Sequence, residues 1–309
     1  MGVALVFGAR GFMGRHVVRG LAALPGWRMV ESDLPGAADA SSGIELGLDL
    51  AEASVEQIAA ALGEVGPDVI VNCAGRTSGP AHELAKANVE TAARLLTALA
   101  SMPKRPRLIH IGSASEYGPA PTGIAVREDA ATAPVGPYGA SKLAATRLVC
   151  EAASRGAIEG LVLRVFNAAG PGMPEGTLAG SAVSRLKLAL ESGAPEIEMG
   201  PLQAVRDFVD VRDVAAAVAA ASLAPLVEAS IVNVGTGQAH TARELVEALA
   251  RAMGYRGLIA ERAAGSARSG DVPWMVADVS LAERSLGWRA VHDLDSVAAN
   301  IVGASTPGA

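Results

Sequence analysis

Two residues four positions apart, Tyr138 and Lys142, are the pair in this sequence best suited to proton transfer. Residues at this spacing lie on the same side of a helix. A tyrosine phenol ordinarily has a pKa of about 10, and a nearby ammonium group favours the phenolate and lowers that value. Tyrosine and lysine are both scarce here, with three tyrosines in 309 residues. We therefore predict a catalytic pair; the alternative is a helix-surface pair without a chemical role.

Ser113 ends a predicted strand, twenty-five residues before Tyr138. A hydroxyl at the carboxyl end of that strand can hydrogen-bond the same substrate oxygen that Tyr138 protonates or deprotonates. Serine is common at strand ends, so the significance of Ser113 depends on its association with Tyr138 and Lys142. We predict that Ser113 is the third catalytic residue.

The turn Gly8–Gly14 reads GARGFMG and joins the first predicted strand to the first predicted helix. Glycines permit a tight turn and let a pyrophosphate approach the backbone, while the positive end of the helix favours the anion. The spacing is G-x-x-G-x-x-G rather than G-x-G-x-x-G, and a glycine-rich turn without a ligand is the alternative. The predicted cofactor-binding residues of this turn are Gly8, Gly11, Phe12, Met13 and Gly14.

The second predicted strand ends at Asp33, nineteen residues after Gly14. A carboxylate at this point can hydrogen-bond a ribose 2′-hydroxyl and repels a 2′-phosphate. The sequence therefore favours NAD(H) as the cofactor. Arg10 in the glycine turn and the neighbouring Glu31 leave NADP(H) possible.

Short apolar runs alternate with longer amphipathic stretches over the first 167 residues. Runs almost continuous in Val, Ile and Leu are typical of parallel strands buried on both faces. Strands are predicted at Val3–Phe7, Arg28–Ser32, Val69–Cys73, Arg107–Gly112 and Gly160–Phe166. Helices are predicted at Met13–Leu24, Val55–Leu62, Ala81–Ser101 and Tyr138–Ser154. This alternation predicts an α/β fold, a Rossmann-type doubly wound parallel sheet with ligands at the carboxyl ends of its strands.

The pattern becomes less regular after Phe166, and Ala168–Pro201 is rich in glycine and proline. The further predicted elements are a helix near Thr177–Glu191, a strand and helix at Val205–Ala221, a strand at Ser230–Val234, and helices near Thr241–Met253 and Leu281–Leu286. We interpret residues 1–167 as the dinucleotide-binding domain, to which the chain returns at about 205–236. Residues 168–204 and 237–309 are interpreted as a smaller, mixed α/β C-terminal lobe that binds the substrate.

The composition excludes several classes of protein. The net charge is −6 and no long basic run occurs, which argues against nucleic-acid binding by phosphate neutralisation. The longest apolar stretch, around Val214–Val227, is shorter than the roughly 18 apolar residues that a membrane span needs. Cys73 and Cys150 are the only cysteines and lack metal-ligand spacing. We therefore expect no metal site and no membrane contact, and a reducing, cytoplasmic compartment.

These motifs together resemble the extended short-chain dehydrogenase/reductases, specifically the NAD-dependent epimerase/dehydratase family of nucleotide-sugar-modifying enzymes. The resemblance covers nearly the whole chain. It rests on the glycine turn and on further segments, namely Asp49-Leu50, Asn72–Gly75, Ile111–Gly118, Pro137–Lys142, Arg164–Gly172, Arg206–Val214, Asn233–Gly237 and Leu286–Trp288. Each segment is individually weak, and the combination is specific.

The resemblance assigns roles to residues that spacing alone does not. For the cofactor it implies Asp49 and Leu50 beside the adenine, together with Ala74 and Lys142.

For the substrate, a nucleotide-diphosphate sugar, the resemblance implies Asn167, Arg206 and Arg268 at the diphosphate, and Ser115 can hydrogen-bond a substrate hydroxyl. Guanidinium groups bind phosphate bidentately, which agrees with the two arginine assignments. The alternatives are an ion pair between Arg206 and Asp207, a solvated loop charge at Arg268 and a loop-capping role for Asn167.

The reaction is predicted from the residues that follow Ser113. Dehydratases of the family carry an Asp-Glu pair there, whereas this chain has Ala114 and Ser115, so a 4,6-dehydratase of that design is disfavoured. The surrounding motifs are similar to the GDP-4-keto-6-deoxymannose reductase type, although Ala168 stands where that pattern usually has histidine. We expect reduction of the 4-keto group of a nucleotide-linked 4-keto-6-deoxyhexose, a step of deoxysugar biosynthesis, with Tyr138 as proton donor and hydride from the nicotinamide.

Two other functions remain open at this point. A nucleotide-sugar 4-epimerase with tightly bound NAD uses the same catalytic residues through transient oxidation of the sugar. A non-catalytic dinucleotide-sensing regulator of the same fold is the alternative of another class, although such proteins typically lack the Tyr-Lys pair.

The stretches around Ala81–Ser101 and Tyr138–Ser154 resemble the helices that form a four-helix dimer interface in this family. Both contain pairs of small residues, Ala92-Ala93 and Ala144-Ala145, which allow helices to approach closely. We expect a homodimer; the alternative is that these alanines reflect the alanine-rich composition of the whole chain.

Overall fold

The computed structural model describes residues 2–35, 46–225, 229–264 and 272–303. Its strands, in chain order, are β1 (Gly2–Phe7), β2 (Trp27–Asp33), β3 (Leu46–Gly47), β4 (Val69–Asn72), β5 (Arg107–Ser113), β6 (Glu159–Val165), β7 (Asn167–Ala169), β8 (Glu196–Met199), β9 (Val205–Arg206), β10 (Phe208–Asp210), β11 (Ile231–Val234), β12 (His240–Thr241), β13 (Leu258–Glu261) and β14 (Trp274–Met275). Seven of them form one sheet in the order β11-β6-β5-β4-β1-β2-β3. All neighbours in this sheet are parallel, which confirms the predicted Rossmann-type architecture.

Helices cover both faces of the sheet. In chain order they are α1 (Phe12–Ala22), α2 (Val55–Val65), α3 (Ala81–Leu84), α4 (Thr91–Ala100), α5 (Pro137–Ser154), α6 (Leu178–Ser192), α7 (Val211–Leu223), α8 (Ala242–Met253), α9 (Ser280–Leu286) and α10 (Leu294–Gly303). Residues of α1, α7 and α9 share one buried apolar cluster with the sheet, and residues of α2, α4 and α5 share the cluster on the opposite face. None of the helices in the described ranges is long and apolar enough to cross a membrane.

A third apolar cluster lies away from the large sheet. It is built from α6, α8 and α10, with Leu186, Leu249 and Ile301 among its buried members. Parallel strands β8 and β13 lie beside it. This cluster belongs to the part of the chain predicted to form the substrate lobe, and the division into two lobes itself stays a prediction.

The structure agrees with the predicted elements of the first 167 residues except in three respects. Strand β3 is only two residues long, too short to produce a recognisable apolar run. The helix predicted over 81–101 is interrupted by a π-helical turn, Ala85–Glu90, which apolar periodicity does not reveal. The chain also bends into a 3₁₀ turn, Ala114–Glu116, directly after β5. In the later part of the chain, α10 and several two-residue strands were not predicted.

Candidate active site

Two cavities lie at the carboxyl ends of the strands of the large sheet. The first, the glycine-turn cavity, has a volume of about 600 Å³. The second, the Tyr138 cavity, has a volume of about 450 Å³. Because parallel strands end at one edge, residues far apart in sequence meet there.

Most of the predicted cofactor-binding residues line the glycine-turn cavity. These are Gly8, Gly11, Asp33, Asp49, Leu50 and Ala74. The other predicted residues of the turn begin helix α1, where the Phe12 ring stands edge-on to His16 at 5.9 Å and Met13 packs against the core. No acidic side chain occupies the first turn of α1 and no side chain caps its N-terminus. The first backbone amides of α1 therefore have no side-chain partner, and this end of the helix carries the positive end of its dipole, an arrangement that suits a pyrophosphate.

The glycine turn is packed too tightly for side chains. Gly8 has a φ of 71°, and a Cβ on it would lie 2.8 Å from the Ala74 nitrogen. A Cβ on Gly14 would lie only 2.0 Å from the Gly8 carbonyl oxygen. The backbone of the turn therefore forms the wall of the cavity, and the residues present fit a dinucleotide pyrophosphate.

The Asp33 carboxylate is held at the end of β2 by two backbone amides. Its Oδ2 accepts a hydrogen bond from the Arg10 amide and its Oδ1 one from the Leu34 amide, both at 2.8 Å. The carboxylate is thus fixed at the cavity wall, where it can accept from ribose hydroxyls. Asp49 is fixed similarly, since its Oδ1 accepts from the Ala51 amide at 2.8 Å.

The Tyr138 cavity brings together five residues that were predicted for catalysis or for substrate binding. They are Ser113, Ser115, Tyr138, Asn167 and Arg206. These residues come from β5 and the turn after it, from α5, from β7 and from β9. Apolar side chains complete the wall, among them Leu84, Val135, Phe166 and Met275.

The two serines interact directly. The Ser115 hydroxyl donates to Ser113 Oγ at 2.8 Å, and the Ser115 amide donates to the same atom at 3.2 Å. A hydroxyl has one proton and two acceptor sites. Because both acceptor sites of Ser113 are used, its own proton remains available for donation to an oxygen in the cavity. Ser115 thus holds the Ser113 hydroxyl in place, and because Ser115 also lines the cavity, its contact with a substrate hydroxyl stays a prediction.

Lys142 lies one turn after Tyr138 on α5 and is buried. Its Nζ donates a hydrogen bond to the carbonyl oxygen of Ile111 on β5 at 2.5 Å. Burial lowers the pKa of Lys142, and the negative charge of Glu116 raises it. Lys142 is not among the described residues that line either cavity, so its direct contact with the cofactor stays a prediction.

Arg206 presents an unbalanced charge to the Tyr138 cavity. Burial lowers the pKa of its guanidinium, and no carboxylate of the described residues pairs with it. Its Nη1 donates to the Val205 carbonyl oxygen at 2.8 Å. Asp207 is fully buried and accepts instead from Thr236, Gly237 and Ala277. The alternative of a local Arg206–Asp207 ion pair is therefore wrong.

Asn167 is exposed at the cavity wall, and its backbone amide donates to the Asp207 carbonyl oxygen at 3.0 Å. The contact of its side chain with a diphosphate stays a prediction, with a loop-capping role as the alternative. Arg268, the second predicted phosphate-binding arginine, lies outside the described residues.

The sequence reasoning missed Asn88, which lies buried in the π-helical turn. Its side chain accepts from the Arg76 amide at 2.9 Å and donates to the Arg76 carbonyl oxygen and to Ser141 Oγ. Ser141 Oγ in turn donates to the Tyr138 carbonyl oxygen at 2.8 Å. Asn88 thus connects the wall of the glycine-turn cavity to the first turn of α5. A polar residue inside an apolar helical pattern was the available signal.

Comparison with known proteins agrees with this geometry. The sequence profile of the NAD dependent epimerase/dehydratase family matches residues 4–235. The chain belongs to this family. Its relatives are nucleotide-sugar dehydrogenases, reductases and epimerases, so this member of the family is an enzyme of the short-chain dehydrogenase/reductase type.

Two relatives within the family act on 6-deoxyhexoses, according to their names. The dTDP-6-deoxy-L-talose 4-dehydrogenase (NAD(P)(+)) of Kitasatospora kifunensis is 38% identical over 285 residues, which cover 92% of this chain and 89% of the relative. The GDP-6-deoxy-D-mannose reductase of Pseudomonas aeruginosa is 34% identical over 197 residues, covering 60% of this chain and 62% of the relative. Among solved structures, MoeE5 in complex with UDP-glucuronic acid and NAD superposes with a TM-score of 0.84 at 30% identity, covering 98% of this chain and 99% of MoeE5.

Proposed function

We propose that this protein is an NAD(P)-dependent oxidoreductase that reduces the 4-keto group of a nucleotide-linked 4-keto-6-deoxyhexose. The observation that carries the proposal is the Tyr138 cavity, which is lined by Ser113, Tyr138 and Arg206. No carboxylate of the described residues pairs with Arg206. Hydroxyl groups that can hydrogen-bond a carbonyl oxygen thus lie in the same cavity as a guanidinium group that can bind a diphosphate.

The protein's own groups have distinct tasks in this reaction. The Ser113 hydroxyl, oriented by Ser115, donates a hydrogen bond to the carbonyl oxygen. Tyr138 donates the proton that this oxygen needs when the carbonyl becomes an alcohol. Lys142 provides a positive charge one helical turn away, which favours the phenolate left on Tyr138. Arg206 and Asn167 hold the nucleotide diphosphate, so that the sugar is presented in one orientation.

A nicotinamide cofactor, when bound, supplies the hydride that adds to the carbonyl carbon. The residues that would hold it are those of the glycine-turn cavity, with Asp33 at the ribose and Asp49 and Leu50 at the adenine. We favour NAD(H) because Asp33 presents a carboxylate where NADP(H) carries a phosphate. Arg10 lies next to this carboxylate through its backbone amide, which leaves NADP(H) as a possible second cofactor.

The name of the relative from Kitasatospora kifunensis supports carbon 4 as the reacting carbon and a 6-deoxyhexose as the sugar. A 4-dehydrogenase oxidises the alcohol at carbon 4, which is the proposed reduction run in reverse. That match extends over 92% of this chain, against 60% for the GDP-sugar reductase. We therefore propose a dTDP-linked substrate ahead of a GDP-linked one.

The test is an assay of the purified protein with dTDP-, GDP- and UDP-linked 4-keto-6-deoxyhexoses and either NADH or NADPH. We expect stoichiometric loss of the reduced cofactor, fastest with a dTDP-sugar, and tighter binding of NADH than of NADPH. Interconversion of 4-epimers without net cofactor oxidation would instead establish a 4-epimerase. Cofactor binding without turnover of any sugar nucleotide would favour a dinucleotide-sensing protein and contradict the proposal.

A further inference from the structure

A fully buried carboxylate, Glu116, lies directly behind the proposed catalytic residues. Its Oε1 accepts a hydrogen bond from the backbone amide of Ser113 at 2.8 Å and another from the Thr146 hydroxyl at 3.0 Å. Its Oε2 accepts from the Arg164 Nε at 2.7 Å. One side chain thus contacts the end of β5, the catalytic helix α5 and strand β6.

The surroundings of Glu116 are built to accommodate its charge. A Cβ on Gly112 would lie 2.9 Å from Glu116 Oε1, so the glycine leaves the room that the carboxylate occupies. Arg164 is buried as well, and its guanidinium carbon lies 4.5 Å from the centre of the Tyr117 ring. Tyr117 is held by its hydroxyl, which donates to Asn233 Oδ1 at 2.7 Å. A buried charge is costly unless it is paired and hydrogen-bonded. The Glu116 carboxylate meets this condition through three donors, one of them the guanidinium of Arg164.

Glu116 and Lys142 hold neighbouring parts of the same strand. Lys142 donates to the Ile111 carbonyl oxygen, and Glu116 accepts from the Ser113 amide. Backbone groups two residues apart point to the same side of a strand, and residues at this separation are about 7 Å apart. Thr146, the α5 residue that donates to Glu116, lies one turn after Lys142 on the same face of the helix.

Glu116 is the one carboxylate among the described residues whose negative charge raises the pKa of Lys142. The other titratable groups near the ammonium are Tyr138 on α5, His110 on β5 and Cys73 after β4. Burial lowers the pKa of His110 well below its ordinary value and raises that of Cys73 to about 12, so both are neutral near pH 7. Arg164 lies on the far side of Glu116 and pairs with it.

We propose that Glu116 is a positioning residue, which holds Ser113 against α5 and supplies the buried negative charge that keeps Lys142 an ammonium ion. Ser113 is fixed through its amide, and α5 is fixed through Thr146. Without the carboxylate, burial would favour the neutral form of Lys142 with no negative charge to oppose it. This proposal rests on the proposed reduction, in which the ammonium supports proton transfer by Tyr138.

The decisive variant is Glu116→Gln, which keeps the shape of the side chain and removes its charge. Removal of the anion lowers the pKa of Lys142, so the ammonium loses its proton at a lower pH. We expect the alkaline limb of the kcat profile to move to lower pH by about one unit, with kcat down about tenfold and KM for the sugar nucleotide changed less than about threefold. Glu116→Asp, which retains the charge, should keep the wild-type pH profile.

A second measurement does not depend on turnover. The chain has only four lysines, Lys86, Lys104, Lys142 and Lys187, so an NMR pH titration of isotope-labelled lysine side chains resolves each one, with Lys142→Arg assigning the signal. We expect the Lys142 midpoint to fall in Glu116→Gln and to stay unchanged in Glu128→Gln. Glu128 is the matched control because it accepts from the Asn233 amide, in the same polar network, without touching α5.

The two proposals fail in different ways. If the wild-type protein reduces no 4-keto sugar, the proposed function is wrong, while the lysine titration still tests Glu116. If the Lys142 midpoint is the same in wild type and Glu116→Gln, the role of Glu116 is refuted even in an active reductase. Should Glu116→Gln not fold because Arg164 is left unpaired, the double variant with Arg164→Gln removes both charges and should also lower the Lys142 midpoint.

Discussion

Hydrogen-bond direction distinguishes the three hydroxyl groups of the Tyr138 cavity. Ser115 donates to Ser113 through both its hydroxyl and its amide, which leaves the Ser113 proton for the cavity. Tyr138 lines the same cavity and carries the proton that can be transferred. In the proposed reaction Ser113 stabilises charge on the substrate oxygen, and Tyr138 exchanges a proton with it.

Tyr138→Phe removes the proton donor and keeps the aromatic ring. We expect kcat to fall by a factor of about 10² to 10⁴, the range typical of a lost general acid, with little change in the dissociation constant of NADH. Tyr255→Phe is the matched control, since Tyr255 lies in the cluster formed by α6, α8 and α10, where its hydroxyl donates to the Ala194 carbonyl oxygen. An active Tyr138→Phe enzyme would rule out the assigned role.

Arg206→Gln removes the guanidinium charge at the wall of the Tyr138 cavity, which pairs with no carboxylate in the described part of the chain. A hydrogen bond to a charged group contributes about 1.5–3 kcal/mol, so the KM for the sugar nucleotide should rise about tenfold or more, while cofactor affinity is retained. Steady-state kinetics with each substrate varied in turn measure both effects. Arg243→Gln is the control, because Arg243 is paired with Glu261 at the surface and should leave both values unchanged. Equal KM values for wild type and Arg206→Gln would exclude a diphosphate contact.

At the scale of elements, helix α1 and the turn before it form one rigid unit. The close approach of Gly14 to the Gly8 carbonyl brings the first turn of α1 against the end of β1. The π-helical turn before α4 has a comparable effect, because Asn88 reaches from it both to Arg76 and to Ser141 on α5. This turn therefore lines the glycine-turn cavity and is hydrogen-bonded to helix α5, in keeping with the frequent occurrence of π-helical turns at functional sites.

Gly14→Ala would place a methyl group 2.0 Å from the Gly8 carbonyl oxygen, which forces the turn and the helix apart. We expect NADH binding to weaken by at least about tenfold, as measured by fluorescence titration, since the amides that face the pyrophosphate are displaced. Gly63→Ala in α2 is the control, because nothing lies within 4 Å of a Cβ at that position. That substitution should leave binding unchanged and stabilise the protein by about 0.5–1 kcal/mol through helix propensity. Undiminished NADH binding by Gly14→Ala would contradict the assignment of the turn.

At the scale of the whole molecule, the cavities proposed for the cofactor and for the substrate lie along one edge of the large sheet. Helices α4 and α5 carry residues that line the two cavities at this edge. Both helices also have an outer face. On α5 that face includes Arg147, Leu148 and Glu151, all exposed in the single chain. We propose that this face forms the four-helix dimer interface of the protein.

Leu148→Glu tests the proposed dimer at an apolar residue of this face, since Leu148 is 38% exposed in the isolated chain. Burying an unpaired carboxylate between subunits is unfavourable, so we expect a monomer by light scattering, with the fold retained. Leu188→Glu is the control, because Leu188 is a 64%-exposed leucine on α6, away from this face. A monomeric wild-type protein, or a Leu148→Glu variant that still dimerises, would reject the interface.

The sequence by itself determined the fold class and the composition of the two sites. Apolar runs and glycine spacing depend on local geometry, so the strands β1, β2, β4, β5 and β6 and the glycine turn were predictable from the chain. Tyr138 and Lys142 were also identified from a local pattern, namely two scarce residue types four positions apart. Spacing on one helix is a local property that needs no knowledge of distant contacts.

Only the tertiary structure decided which charges are paired. Arg206 and Asp207 are adjacent in the chain, yet Arg206 lines the Tyr138 cavity whereas the buried Asp207 accepts hydrogen bonds from Thr236, Gly237 and Ala277. Glu116 and Asn88 gained their significance from partners such as Arg164 and Ser141, which lie 48 and 53 positions away in the chain. Burial and long-range hydrogen bonds set the charge state of a group such as Lys142, and both arise only when the strands and helices pack together.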